Sequence, residues 1–182
     1  IRAVFQGTEG AKEGAHFIMP SPFTFTNFDM DENGYMWLVG NNTHIIRHIP
    51  QTGRVSVSNI NNLPDNTAIF PFEANLKGVS YYNSALYLLA KDDNGPKIWK
   101  ADLNADSEVT TVSLFSDIGA ALGGVTGEDT FTDLVIAEDG MLYVATNRNE
   151  SIIEISADGL SIGALYPGVL YPSVTSLDWD DG

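Results

Sequence analysis

Asp29, Asp31 and Asn33, followed by Gly34, spell D-x-D-x-N-G within the stretch DMDENGYMWLVG. A calcium loop begins this way: alternate oxygen-bearing side chains wrap one ion, and a glycine makes the sharp turn. The twelfth position of such a loop should carry a bidentate glutamate, but it is Gly40, which has no side-chain oxygen. The same residues also suit a hairpin. Asn-Gly accepts the positive φ of a tight turn, and MWLVG after it has the pattern of a strand buried on both faces. The spacing favours the hairpin. His44 and His48 lie four apart in HIIRHI. On a strand they share a face but sit about 13 Å apart, too far for one metal ion, and they read as exposed strand histidines. There is no cysteine, which excludes disulfides, thiolate metal sites and cysteine nucleophiles. No G-x-S-x-G elbow is present, and the glycines between Gly119 and Gly124 are not followed by Lys-Ser or Lys-Thr. Neither a serine hydrolase nor a phosphate-cradling loop is therefore encoded.

The elements around these residues repeat. FTNFDMDENGYMWLVG (25–40) returns as LKGVSYYNSALYLLAK (76–91), as FTDLVIAEDGMLYVAT (131–146) and, shortened, as VTSLDWDDG (174–182). Gly34, Ser84, Gly140 and Gly182 align at the turns. Each full copy continues with a polar loop, a third strand (HIIRHI, KIWKADL, SIIEIS), a second turn (PQTGR, NADSE, ADGLS) and a fourth strand (VSVSNI, VTTVSLF, SIGALYP). Four antiparallel strands in a unit of about 40–50 residues is the pattern of a propeller blade. Trp37, Tyr87 and Tyr143 occupy the same place in three blades and are expected to pack between blades. The expected blades cover 22–60, 74–116 and 129–167, with partial strands at 1–7 and 172–182. The whole of 1–182 then forms one partial propeller domain, and 1–7 is expected to be an isolated strand of a neighbouring blade.

The stretch from Phe25 to Val55 resembles the blades of the NHL, gluconolactonase-like and regulator-type sensor propellers. Those blades repeat D-x-x-G-x-[LI]-[WY]-[VI] and then a D-P-x-T-G-like turn, here IPQTGRV. The resemblance extends over roughly Phe25 to Gly182. It implies an all-β β-propeller of four-stranded antiparallel blades, with three full blades and parts of others taken from a ring of about 6–7. It also implies a candidate metal site, because lactonase-like members hold one divalent ion on the propeller axis with oxygen side chains from inner strands. Asn27 and Asp133 share one blade position, in FTNF and FTDL, with Ser176 in the last copy. Asn27, Asp29 and Asp133 are the axial candidates, and Ca2+ is the ion that such a set would take. The favoured reading is a row of polar residues facing a wet channel, with no cofactor expected and Ca2+ as the other possibility.

Composition narrows the partners. The hydrophobic fraction is 43%, which suffices for a packed core. Against 9 Lys and Arg stand 24 Asp and Glu, a net charge of −15. That field repels phosphate backbones and anionic lipid, so nucleic acid and membrane insertion are not expected. Two long inserts, 61–75 and 117–129, interrupt the blades, and loops of this length on a rigid scaffold are where recognition is usually placed. The favoured function is a non-enzymatic binding or assembly module. It would recognise protein or glycan through the inserts and be completed by further blades or sister chains. It would belong to a surface protein, a sensor ectodomain or a virion, so an extracellular or surface location is expected. The alternative is a divalent-metal-dependent, lactonase-like hydrolase or lyase.

Overall fold

The computed structural model describes residues 4–7, 10–13, 24–40, 42–59, 75–92, 95–124, 129–148, 152–165 and 174–178. Among these, β1 (Val4–Gly7) and β2 (Gly10–Glu13) form a two-stranded antiparallel ribbon. The first strand is thus paired, not isolated: 10–13 runs antiparallel along it. The first blade holds β3 (Phe25–Met30), β4 (Met36–Gly40), β5 (Asn42–Ile49) and β6 (Arg54–Asn59). The second holds β7 (Asn75–Tyr82), β8 (Ala85–Asp92), β9 (Gly95–Leu103) and β10 (Val109–Asp117). A single helical turn, α1 (Ile118–Ala121), follows. The third holds β11 (Phe131–Ile136), β12 (Leu142–Thr146), β13 (Ile152–Ile155) and β14 (Ile162–Ala164). In each sheet the spatial order is the chain order, and every pairing is antiparallel. This is a partial β-propeller.

The turns explain the chain reversals. In the second blade Asn83 and Ser84, with φ of 48° and 58°, make a two-residue hairpin between the paired Tyr82 and Ala85. The first and third blades use a longer turn that needs one left-handed residue, supplied by Gly34 and Gly140. The outer turns repeat the device with Gly53, Ser107 and Gly159, all at positive φ.

Two cores lie between the three blades. Trp37, Val39 and Ile45 of the first blade meet Leu76, Val79, Leu86 and Leu88 of the second. The opposite face of the second blade, with Tyr87, Leu89 and Ile98, meets Leu134, Ile136, Leu142, Val144 and Ile153 of the third. The second strand of each blade is therefore apolar on both faces. Trp37 pairs across the ladder with Asp29, Tyr87 with Ser80 and Tyr143 with Val135, so the three aromatics are structurally equivalent. Trp37 and Tyr87 are buried and Tyr143 is half-buried. Tyr87 also packs edge-on against Phe115, with ring centroids 5.0 Å apart.

Candidate functional site

The inner strands β3, β7 and β11 lie side by side, and the segment 174–178, which is not a strand, is hydrogen-bonded to β11. A cleft of 630 Å3 opens along them, lined by Asn27, Asp29, Ser80, Asp133, Ser176 and Asp178 among others. The three axial candidates named from the sequence all reach this cleft. Asn27 Nδ2 donates to Asp133 Oδ1 at 2.5 Å, linking the first blade to the third across the second.

The acidic side chains here tie strands together. Asp29 Oδ2 accepts from Tyr81 N at 2.7 Å and from Ser80 Oγ at 3.2 Å, and its Oδ1 accepts from Met30 N. Asp133 Oδ2 accepts from Leu177 N at 2.7 Å, and its Oδ1 accepts from Leu134 N as well as from Asn27. Asp29 thus fastens β3 to β7, and Asp133 fastens β11 to the segment 174–178. Threonines repeat the pattern: Thr26 Oγ1 donates to the Leu76 carbonyl and Thr132 Oγ1 to the Val174 carbonyl. A carboxylate has about four lone-pair sites. With three donors on each, a metal ion would have to displace hydrogen bonds that join blades, so the set as it stands fits a metal poorly. Among the described residues no group of three or more His, Cys, Asp or Glu is placed to hold an ion.

The residues of the calcium-like spacing separate in space. Asp29 turns to the second blade. Asp31 is buried under its own hairpin, where Oδ1 accepts from Asn33 N and Tyr35 N, both at 2.9 Å, and Oδ2 accepts from Trp37 Nε1 at 3.1 Å. The hairpin reading of DMDENG is the one the geometry supports. Arg47, paired with Trp37 on the neighbouring strand, lies over the Tyr35 and Trp37 rings, 5.7 and 5.9 Å from their centroids. Its guanidinium donates to the carbonyls of Asp106 and Ser107 and so latches the first blade to the outer turn of the second.

Burial pushes the Asp29 carboxyl above the ordinary aspartate range; hydrogen bonds from Tyr81, Met30 and Ser80 oppose the rise, and the charge of Asp133 adds to it. The folded-state pKa therefore lies above the unfolded value of 3.8. Protonation favours the folded state, so this stability is fully present below pH 3.8 and is lost as pH rises through the folded pKa. Urea midpoints of wild type and Asp29→Asn should show this: the wild type gains on the variant as pH falls from neutrality. Each pKa unit of elevation corresponds to about 1.4 kcal/mol. A gap that moves the other way would mean that the hydrogen bonds outweigh burial.

Other sequence expectations need correction. His48 is buried at 5% exposure and His44 is half-buried, so neither is an exposed strand histidine. His48 lies opposite Met36 and Val55 on an apolar face, and burial lowers its pKa. The insert 117–129 begins as structure: Asp117 caps α1 by accepting from Ala120 N, and Ile118 is fully buried in the core beside Leu122. Its apolar residues join the core between the second and third blades, with α1 against β9, which leaves less of it as a recognition loop. The insert 61–75 lies outside the described residues, except Asn75 at the start of β7.

Sequence reasoning passed over Phe28 and Met30. Both are on β3 and line the cleft, with exposures of 60% and 52%. Their equivalents in the third blade, Leu134 and Ile136, are 3% and 9% exposed. The signal was in the aligned repeats, where apolar residues recur at both positions.

No family model and no curated protein matches the chain. Solved structures do. YCF48 bound to a D1 peptide superposes with a TM-score of 0.54 at 12% identity, over 81% of this chain and 41% of that one. A luciferin-regenerating enzyme gives 0.58 at 19% identity, over 85% and 49%. Virginiamycin B lyase from Staphylococcus aureus gives 0.56 at 15% identity, over 89% and 47%. This chain therefore spans about half the length of the solved proteins it matches. These neighbours are propellers of the NHL and gluconolactonase-like type. At such identities they show the fold and nothing finer: the architecture here is that of a partial β-propeller.

Proposed function

We propose that the chain is a non-enzymatic binding and assembly module whose first blade docks another protein through the face carrying Phe28 and Met30. The observation that carries this reading is the contrast in burial at equivalent positions. Leu134 and Ile136 are covered because they pack on the preceding blade. Phe28 and Met30 lie on the corresponding face and are exposed at the inner strand, while farther out on that face Met36, Ile46 and His48 are buried. Leu38 and Val55 of the same face are half-buried and Val57 is exposed at its rim. Apolar surface concentrated on one sheet face marks a place where protein associates. The polar groups of the cleft support the reading from the other side, since they are engaged in joining blades. One structural neighbour, YCF48, carries a bound peptide, which makes a protein partner a natural one for this scaffold.

The test compares two double variants. Phe28→Asp with Met30→Asp should leave urea stability within about 0.5 kcal/mol of wild type, as for surface sites. It should also lower binding of a hydrophobic dye. Leu134→Asp with Ile136→Asp, at the equivalent buried positions, should unfold the chain. If the first pair also unfolds it, the face belongs to the interior and the docking reading falls.

The rival reading, a metal-dependent hydrolase or lyase, has the convergence of Asn27, Asp29 and Asp133 in its favour. Calorimetric titration with Ca2+ separates the two: a binding heat that disappears in Asp133→Asn would favour the rival.

A further inference from the structure

We propose that Asn33 is a site of spontaneous covalent change, in which the peptide nitrogen of Gly34 displaces the side-chain amide and leaves aspartate or isoaspartate. The stretch DENGY places an asparagine directly before a glycine. A glycine has no Cβ to shield its own nitrogen from the preceding side chain. In the reaction the Gly34 nitrogen bonds to the side-chain carbonyl carbon of Asn33. The bond from that carbon to the amide nitrogen breaks, and ammonia leaves. Water then opens the cyclic imide at either carbonyl. One water is consumed and one ammonia released, and no other reactant is needed.

The bonding of the turn singles out Asn33. Turns 31–35 and 137–141 are built alike. Gly34 N donates to the Asp31 carbonyl and Gly140 N to the Ala137 carbonyl, both at 2.9 Å. The two glycines have φ of 74° and 83°, and residues 33 and 139 are both exposed. The difference is one hydrogen bond. An Asn or Asp in a turn commonly holds the backbone N–H two residues on. Asp139 does so, accepting from Met141 N at 3.0 Å. Asp158, before Gly159 in the outer turn of the third blade, likewise accepts from Leu160 N at 3.0 Å. In the first blade the corresponding N–H is that of Tyr35, and Asp31 Oδ1 takes it at 2.9 Å while also holding Asn33 N. Residue 137 is alanine and cannot compete in this way. The Asn33 side chain has thus lost its customary partner and makes no hydrogen bond among the described residues. It is free to swing onto Gly34 N. The carboxylate that fixes the hairpin is also what releases its asparagine.

Conversion has a local consequence. Either product adds a carboxylate beside Glu32, in a chain that already carries −15. Isoaspartate also lengthens the main chain by a methylene between the two N–H groups that Asp31 holds.

Asp139→Asn supplies the comparison within one molecule: two Asn-Gly pairs in the same kind of turn, one side chain held and one free. The new amide oxygen can still accept from Met141 N, so the variant keeps the turn. The folded chain is aged at mildly alkaline pH. Conversion at each position is read by peptide mapping with fragmentation mass spectrometry, and isoaspartate is identified with an isoaspartyl methyltransferase. Measured against their ratio in urea, where neither turn persists, position 33 should convert about two- to tenfold faster than position 139, the factor by which breaking one ordinary hydrogen bond slows a reaction. Asn94, which also precedes a glycine, lies outside the described residues and is scored apart. A ratio in the folded chain no larger than that in urea overturns the proposal. So does a wild-type chain that stays unconverted at Asn33 when folded although it converts in urea, a result that needs no variant.

Discussion

Gly159→Ala is expected to lower the stability of the chain by about 3 kcal/mol, through a contact that no local feature of its turn reveals. The residue lies in the outer turn of the third blade at φ +76°, where a side chain costs about 1–2 kcal/mol in any surroundings. It also lies against the last strand of the second blade. A Cβ there would meet the Phe115 carbonyl oxygen at 2.6 Å and the Phe115 ring at 3.0 Å. Ser116 Oγ, donating to the Gly159 carbonyl at 2.8 Å, holds the turn in that position. Relief would require backbone movement between blades, and overpacking of this kind costs about 1–3 kcal/mol more. Gly123 is the control: its φ is +71° but a Cβ there would touch nothing within 4 Å. Gly123→Ala should therefore show the backbone cost alone. Urea denaturation of the two variants decides the matter, and equal losses would mean that the packing of Gly159 on Phe115 contributes nothing.

Asp31→Ala is expected to cost about 3–4 kcal/mol. The carboxylate satisfies two turn N–H groups and the indole N–H of Trp37, a side chain only 2% exposed. Hydrogen bonds to a charged acceptor contribute about 1.5–3 kcal/mol each, and a buried donor left alone bears its desolvation penalty. Water can reach the N–H of the exposed Asn33, so the sum is less than three full bonds. Asp31→Asn keeps an acceptor oxygen and should cost about half as much. Trp37→Phe combined with Asp31→Ala should be less harmful than the sum of the single changes, because the second change no longer strands the indole. A double-mutant cycle on urea midpoints measures this coupling, and contacting residues in one network are expected to show at least about 0.5 kcal/mol. Strict additivity would show that the indole bond carries no weight.

Much of the architecture was legible in the residues. Each strand pairs with its neighbour in the chain, so hairpin grammar and alternation encode a whole blade locally. Gly34, Gly140 and the Asn83–Ser84 pair mark turns because few residues accept positive φ. The equivalence of Trp37, Tyr87 and Tyr143 followed from aligning those turns. That Asn27 and Asp133 share a position was also readable, although the bond between their side chains was not.

What the residues could not carry was the placement of one sheet against the next. Asp29 finds Tyr81 in β7 and Asp133 finds Leu177 in the segment 174–178, at separations far beyond any local periodicity. Whether an apolar residue on a strand is core or open surface depends on which sheet lies over it. That is why Leu134 is buried and Phe28 is exposed at one repeat position, and why His48 is buried on a strand whose pattern suggested exposure. The apolar turn at Ile118 became helix and core because it packs on β9 and reaches the core between the second and third blades. Local sequence thus determined the blades and their turns, since those depend on neighbours in the chain. The tertiary structure decided which carboxylates join blades and which apolar residues stay exposed, since those depend on neighbours in space.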